Sequence, residues 1–440
     1  MTYRSSPECV LEIIKARGSH ESGVAKAGCM SVRNFFVAAP VNETALEELL
    51  PRALSIVSDV VMACGEDLGT LEQALAALRA ILHHQASLAF RLESDVVYVL
   101  TSQTGVMPMA CGNRNVVYHC VSLLHYIMRG ASSPHEYIND TMSKGLIRFI
   151  VDANANDPAA RYQVEAAMDL LSFLSGSSYQ SKLALLDENN LSNAAAITDA
   201  VIAAMETYPQ SATIQGCGCM VLHNIALDNL LRANICKAGG IQRLVSSLST
   251  LVDDVQLVSR ALLALSNLMS GAPVDVLRTI DSARAIISAM KKHPHDLYVQ
   301  VEGASALWGL SARDNALNVE IVELEGASVI ANAVSHFIAS DKMNEKGLAA
   351  IWSLSVSNET KRRVGLVAIE PVVNGLAASI SSDQVVSNGL GCLKCLSTIS
   401  TIRTLLERSG SIDLVYSCML PFLLFVHRGY RHSFLLNIFP

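Results

Sequence analysis

A short apolar pair, led into by small residues, returns along this chain at nearly constant spacing, and that recurrence constrains the fold more than any single motif. The pairs are Val32/Phe35, Leu78/Ile81, Leu124/Ile127, Leu171/Leu174, Leu222/Ile225, Leu265/Leu268, Leu307/Leu310, Ile351/Leu354 and Leu393/Leu396. Taking the first member of each pair as the anchor of its repeat, successive anchors lie 46, 46, 47, 51, 43, 42, 44 and 42 residues apart. A period in the forties belongs to stacked helical repeats, in which no unit buries its apolar surface alone and each completes its neighbour's core.

An independent segment repeats in the same register. VIAAMETYPQSATIQ (201–215) and IISAMKKHPHDLYVQ (286–300) agree at Ile202/Ile287, Ala204/Ala289, Met205/Met290, Pro209/Pro294 and Gln215/Gln300, a constant offset of 85 residues, or two repeats. Within one repeat three helices can be read. The first runs over 227–238, with Leu231, Ile235 and Ala238 on one face, and Gly239-Gly240 ends it because glycine accepts the left-handed conformation. The second, 241–251, places Ile241, Leu244, Val245 and Leu248 on one stripe. Asp253-Asp254 then supplies negative charge to the start of a third helix over 255–270, which is apolar nearly all round and so must lie between neighbours.

The segments ANICKAGGIQRLV and RALLALSNLMSG resemble the armadillo-repeat family over roughly residues 21–418, most closely from 211 to 400. ALWGLS and AIWSLS, around Trp308 and Trp352, are more loosely similar to the armadillo region of leucine-rich-repeat kinases, although no kinase, GTPase or leucine-rich-repeat segment accompanies them. The resemblance implies an all-α, armadillo-type right-handed α-solenoid of about nine three-helix repeats. Residues 1–20 are expected to form an N-terminal segment and 21–418 the solenoid, with divergent repeats to about 200 and regular ones over 201–418. Ser/Asn/Gly-rich stretches at 101–115 and 175–200 are expected to be loops or insertions, and the 51-residue interval to reflect an extra loop near LDENNLSN (186–193).

Composition agrees with tightly stacked helices. Half of the chain, 51%, is hydrophobic, aromatics make up 5%, and there are 12 prolines. Small aliphatics cost little in a helix, and prolines that would break one are few. The net charge is -7 and the longest basic cluster is Lys361-Arg362-Arg363, which argues against a nucleic-acid surface. Eleven scattered cysteines, mostly in apolar runs, fit small buried side chains in a reducing compartment better than a disulfide framework. Neither a secretory leader nor an uncharged apolar run of membrane-spanning length is visible, so a cytoplasmic protein, with the nucleus as a second location, is expected.

Candidate chemistry is sparse. Cys392-x-x-Cys395 has the spacing of a zinc or redox pair, but it sits inside a third helix with no second ligand pair nearby in sequence, which favours two small packed residues. Cys217-x-Cys219 places its thiols on diverging faces. His83-His84 and His293-Pro294-His295 fall near helix ends and assemble no set of three or four metal ligands. No phosphate-binding glycine loop, nucleophile elbow or metalloprotease signature occurs. Neither an enzyme, a cofactor nor a metal is expected, and a small-molecule substrate is disfavoured.

In armadillo proteins third helices line a concave groove. In the nuclear-import adaptors of that family the groove carries a Trp two residues before the anchor position and an Asn two after it. The Trp position here reads Met30, Ala76, Ser122, Asp169, Met220, Leu263, Ser305, Ala349 and Gly391, so that array is missing and binding of basic localisation signals is disfavoured. The Asn position reads Asn34, Ala80, Tyr126, Phe173, Asn224, Asn267, Gly309, Ser353 and Cys395, so Asn224 and Asn267 remain as a pair in consecutive repeats. These asparagines either pair with the backbone of an extended chain or cap contacts between repeats. Five residues before the anchors stand His119, Arg260, Glu302, Lys346 and Asn388, a row of mixed charge expected to face a partner of mixed charge. Trp308 and Trp352 occupy one position in adjacent repeats and serve either as a binding ladder or, in their apolar surroundings, as packing.

The expected function is a non-enzymatic scaffold or adaptor binding a protein or extended peptide along that groove. The alternatives are the armadillo segment of a larger signalling protein and, less favoured, a nuclear-transport adaptor. After Met419 the register fails. LPFLLFVHRGYRHSFLLNIFP (420–440) reads as a membrane-surface or partner-binding tail, or as an artefact such as read-through intronic sequence with further repeats in the natural protein. The artefact or truncation reading is preferred, with residues 419–440 otherwise expected to be disordered.

Overall fold

The computed structural model describes residues 7–18, 21–39, 48–64, 67–85, 88, 94–101, 113–130, 138, 140–156, 160–186, 193–227, 229–409, 412–415 and 417–418. Residues 419–440 and most of 101–115 lie outside that set. Two compact units partition the chain, Met1–Ile225 and Ala226–Pro440. Each is an armadillo-type α-solenoid segment, and among the described residues there is no strand.

The first unit contains α1 (Pro7–Arg17), α2 (Ser22–Ala38), α3 (Leu49–Ala63), α4 (Leu68–His84), α5 (Ser94–Thr101), α6 (Arg114–Gly130), α7 (Asp140–Asn156), α8 (Arg161–Ser177), α9 (Tyr179–Leu186), α10 (Asn193–Thr207) and α11 (Ala212–Ile225). Its third helices α2, α4, α6, α8 and α11 pack side by side in that order. The second unit contains α12 (Asn229–Lys237), α13 (Gly240–Thr250), α14 (Val255–Met269), α15 (Val274–Thr279), α16 (Ser282–Lys292), α17 (Leu297–Ser311), α18 (Asn315–Glu323), α19 (Gly326–His336), α20 (Asp341–Leu354), α21 (Lys361–Ala378), α22 (Asp383–Ser397) and α23 (Ser400–Arg408). Here α14, α17, α20 and α22 form the row of third helices, and α13, α16, α19 and α21 pack as a second row.

All nine anchors are buried, as are all of their partners except half-buried Phe35. Eleven residues before the anchor, a short polar side chain caps the third helix in seven of the nine repeats. Asp67, Asn113, Ser211, Asp254, Asp296, Ser340 and Ser382 each accept from a backbone N–H of the first turn. Four residues before the anchor the side chain is always small: Gly28, Ala74, Cys120, Ala167, Gly218, Ala261, Gly303, Gly347 and Gly389. The reason is close approach. A β-carbon on Gly218 would lie 2.5 Å from Met205 Sδ, and one on Gly303 2.5 Å from Met290 Cγ, both on the preceding second helix.

The repeated glutamines also have a structural reason. Gln215 Nε2 donates to the carbonyls of Met205 and Tyr208 at 2.8 and 3.0 Å, and Gln300 Nε2 to those of Met290 and His293 at 2.8 and 3.0 Å. Each staples the end of its second helix to the third, satisfying carbonyls that a helix terminus leaves over.

Two expectations are revised. Residues 175–200 are largely helical, holding the end of α8, α9 and the first half of α10. The 51-residue interval includes a second helix of 15 residues where α13 has 11, and residues 187–192, between α9 and α10, lie outside the described set. The extra loop expected near LDENNLSN falls on those residues. At the other end of the chain, the break between first and second helices is made by left-handed residues, Gly239 (φ +95°) and Glu325 (φ +68°). The matching position of the last repeat is Val367, whose branched β-carbon disfavours that conformation. The two helices there are fused into α21, with Pro371 inside it.

Candidate functional site

Side chains that the core does not use emerge on one face of each third helix. In the second unit they form rows set nine and five residues before the anchor and one and two after it. The outermost row is Gln256, Tyr298, Lys342 and Gln384, and all four are exposed. Tyr298 is 73% exposed. Helical periodicity places the next row one turn on, and it is the one anticipated at Arg260, Glu302, Lys346 and Asn388.

Those four residues are not equivalent. Arg260 is exposed. Glu302 is half-buried and accepts from Ser266 Oγ at 3.2 Å. Burial raises the pKa of its carboxyl above the ordinary value, while the Ser266 hydrogen bond and the charges of Lys346 and Lys342 oppose that rise. Lys346 Nζ lies 2.9 Å from Glu345 Oε1 and 5.7 Å from the centre of the Trp308 ring. Asn388 is 4% exposed; its Nδ2 donates to the Glu345 carbonyl of the neighbouring third helix at 3.0 Å, and its Oδ1 accepts from Gln384. It joins repeats and presents nothing to a ligand.

The tryptophans differ in the same way. Trp308 is 39% exposed beneath Lys346. The Trp352 indole lies against the next third helix, where a β-carbon on Gly391 would come within 2.5 Å of its Cε2. One tryptophan faces outward and the other packs. Asn267, on α14, is half-buried.

Asn224, His119 and Tyr126 belong to the first unit, and all three are half-buried. Asn224 Nδ2 donates to Ser175 Oγ of the adjacent third helix at 3.2 Å, a contact between repeats. The His119 ring lies beside that of Tyr118, with centres 5.2 Å apart and planes tilted by 54°. One position after the anchor this unit carries Arg33, Arg79, His125 and His223. His125 Nδ1 is 2.9 Å from Asp169 Oδ2. Sequence reasoning missed this row, together with Tyr298 and Lys342. The signal was present, since both rows follow from moving one helical turn along a register already known.

The remaining candidates take structural places. Cys392 is buried, with a thiol pushed up to about 12 by burial, while Cys395 lies on the half-exposed side of the same helix. His84 Nε2 contacts the Phe36 carbonyl, and His293 Nε2 lies 2.6 Å from the Val252 carbonyl, so each ties its repeat to the one before. Among the described residues no group of three or more His, Cys, Asp or Glu side chains is placed to hold a metal ion. Among those residues, too, no helix is long and apolar enough to cross a membrane.

No protein-family model matches the chain, and no curated protein matches it. Solved structures do. A crystal structure of an engineered protein from a structural-genomics consortium is similar over 88% of this chain and 98% of its own, with a TM-score of 0.60 and 16% identity. A designed armadillo repeat protein in complex with the peptide (KR)4 is similar over 56% of this chain and 98% of its own, with a TM-score of 0.45 and 16% identity. At such identities the likeness is one of fold. The looser kinase resemblance gains nothing from these comparisons.

Proposed function

We propose that this protein is a non-enzymatic interaction scaffold that holds an extended segment of a partner protein against the third-helix face of its second unit. The observation that carries the reading is the run of surface-facing groups on α14, α17 and α20: Arg260, Tyr298, Glu302, Trp308, Lys342 and Lys346. A flat aromatic surface flanked by charges of both signs suits an extended chain of mixed charge, the aromatic rings supplying contact area at little entropic cost. Asn267, two positions after its anchor, is assigned to the backbone of that chain.

The same rows oppose the nuclear-transport reading, because the position that would carry Trp holds Leu263, Ser305, Ala349 and Gly391. A role as the armadillo segment of a larger signalling protein rests on the ALWGLS and AIWSLS likeness, and the mass of the endogenous protein on an immunoblot distinguishes it. Nucleic acid and small-molecule substrates are not assigned, and the cytoplasm, with the nucleus in addition, is the proposed location.

The test is selection of binding peptides from a random library against the full-length chain, followed by fluorescence anisotropy with the best binder. Tyr298→Ala, Trp308→Ala and Arg260→Glu should each weaken binding at least tenfold. Arg284→Glu, on the second helix α16, should leave it unchanged. Equal binding by all four variants would place the peptide elsewhere and sink the assignment.

A further inference from the structure

On its first three third helices the first unit holds two arginines that no carboxylate among the described residues pairs, with an imidazole beside them. Arg33 on α2, Arg79 on α4 and His119 on α6 come from three successive repeats, and all are half-buried. Both guanidinium groups lie within electrostatic reach of the imidazole. After burial, their charges are what hold His119 down at about 4, so the ring is neutral at physiological pH.

The partners of these groups are all uncharged. Arg33 Nη1 donates to Gln73 Oε1 at 2.8 Å, and its Nε and Nη2 to Asn34 Oδ1 at 3.2 and 3.1 Å. Arg79 Nη1 donates to Tyr118 Oη at 3.0 Å, with its guanidinium 5.0 Å from the centre of that ring. No carboxylate among the described residues pairs with either arginine. Glu72, on the same helix as Arg79, instead accepts from Asn115 at 3.4 Å. Two buried nitrogens are left without a hydrogen-bond partner, Arg79 Nε and His119 Nδ1.

Each of these facts is unfavourable in an empty site. Half-buried cations are ordinarily paired, and buried polar nitrogens are ordinarily bonded. A single anion set against the two half-buried guanidinium groups would offset their charges and bring acceptor oxygens to the edge of the cluster. A carboxylate offers one negative charge and two oxygens. A phosphoryl group offers nearly two charges and three oxygens, and arginine forks match its geometry. Tyr118, held by Arg79, adds a hydroxyl at the edge of the cluster.

We propose that Arg33, Arg79 and His119 form an oxyanion site that takes the phosphoryl group of a phosphorylated serine or threonine on a partner segment crossing the first unit. This site is separate from the aromatic face of the second unit, and its failure would leave that reading untouched.

The experiment follows the full-length chain by NMR, reading the His119 ring during titration with inorganic phosphate, with the peptide Gly-Ser-pSer-Ser-Gly, and with the same peptide carrying Glu for pSer. The phosphopeptide should saturate at least tenfold below the Glu peptide. It should raise the His119 pKa by a unit or more, because the bound dianion offsets the two guanidinium charges that hold it down. Arg33→Gln and Arg79→Gln should each weaken binding tenfold or more, while Arg79→Lys, keeping the charge without the fork, should fall between. Variants with wild-type circular dichroism but undiminished binding would overturn the site, as would a His119 resonance unmoved by any of the three ligands. Binding of inorganic phosphate as tight as that of the phosphopeptide would overturn the assignment to a protein segment.

Discussion

Two glycines at the same register position should respond oppositely to the same substitution. Gly303 and Gly347 each sit four residues before an anchor, where the third helix crosses the second. Alanine in a helix interior is favoured over glycine by about 0.5–1 kcal/mol, so each change begins with that gain. What it meets then differs. A β-carbon on Gly303 would lie 2.5 Å from Met290 Cγ and 2.7 Å from its Sδ, and methionine is unbranched and can turn aside. A β-carbon on Gly347 would lie 2.3 Å from Val334 Cγ2, and a valine in a helix has essentially one rotamer. Overpacking of a rigid neighbour costs about 1–3 kcal/mol. Gly303→Ala should therefore fall within about 0.5 kcal/mol of the parent or above it, and Gly347→Ala about 1–2 kcal/mol below it. Urea unfolding followed by far-UV circular dichroism measures the order of the three proteins. Hydrogen exchange in α17 and α20 locates the effect, because a repeat chain need not unfold in one step. If Gly347→Ala proved as stable as Gly303→Ala, stiffness of the facing side chain would not be what fixes this position.

Three further outcomes are expected. Gln300→Ala strips the hydrogen bonds from the Met290 and His293 carbonyls and should cost about 2–3 kcal/mol in the same assay, with Gln215→Ala matching it in the first unit; losses under about 0.5 kcal/mol would show the staples to be passive. Asp67, held at about 2 chiefly by hydrogen bonds from Ser22 and Thr70, contributes stability that is complete above its unfolded value near 4 and is lost as the pH falls toward 2. Asp67→Ala should accordingly cost about 1 kcal/mol at pH 7, and the gap between variant and parent should close in acid melts. With thiols pushed up to about 12, Cys29 and Cys392 should alkylate at pH 8 some hundreds of times more slowly than exposed Cys9, read by mass spectrometry of the native protein, and labelling at equal rates would contradict their burial.

Much of the interior was legible because one register governs it. Burial of the anchors follows from their spacing, and the helix limits expected around Gly239-Gly240 agree with α12, α13 and α14 to within two residues at each end. The capping position and the small-residue position lay in the same register but become visible only after the repeats are superposed on their anchors. Asp254 alone is an acidic residue before a helix, whereas Asp254, Asp296, Ser340 and Ser382 together are a rule. The surface was harder. Five residues before the anchor, Arg260 is exposed and Asn388 is buried, although the two have one register. The difference is the Glu345 carbonyl that receives Asn388 from the adjoining helix, a contact between repeats that no single repeat encodes. The fused α21 is likewise set by an absence, that of a residue able to turn left-handed where Val367 stands.

The small residue that admits the second helix, the backbone N–H that each cap receives and the glutamine staple all lie inside one repeat, and none of them shares a position with the outward rows. Stability and the recognition proposed for the outward rows are thus written on different letters of the same helix. Tyr298 or Arg260 can be exchanged without disturbing Gly303 or Asp254, so the specificity of such a chain can drift freely over evolutionary time while its architecture stays fixed. That independence also makes each third helix a natural unit of redesign, in which a face is reprogrammed one row at a time.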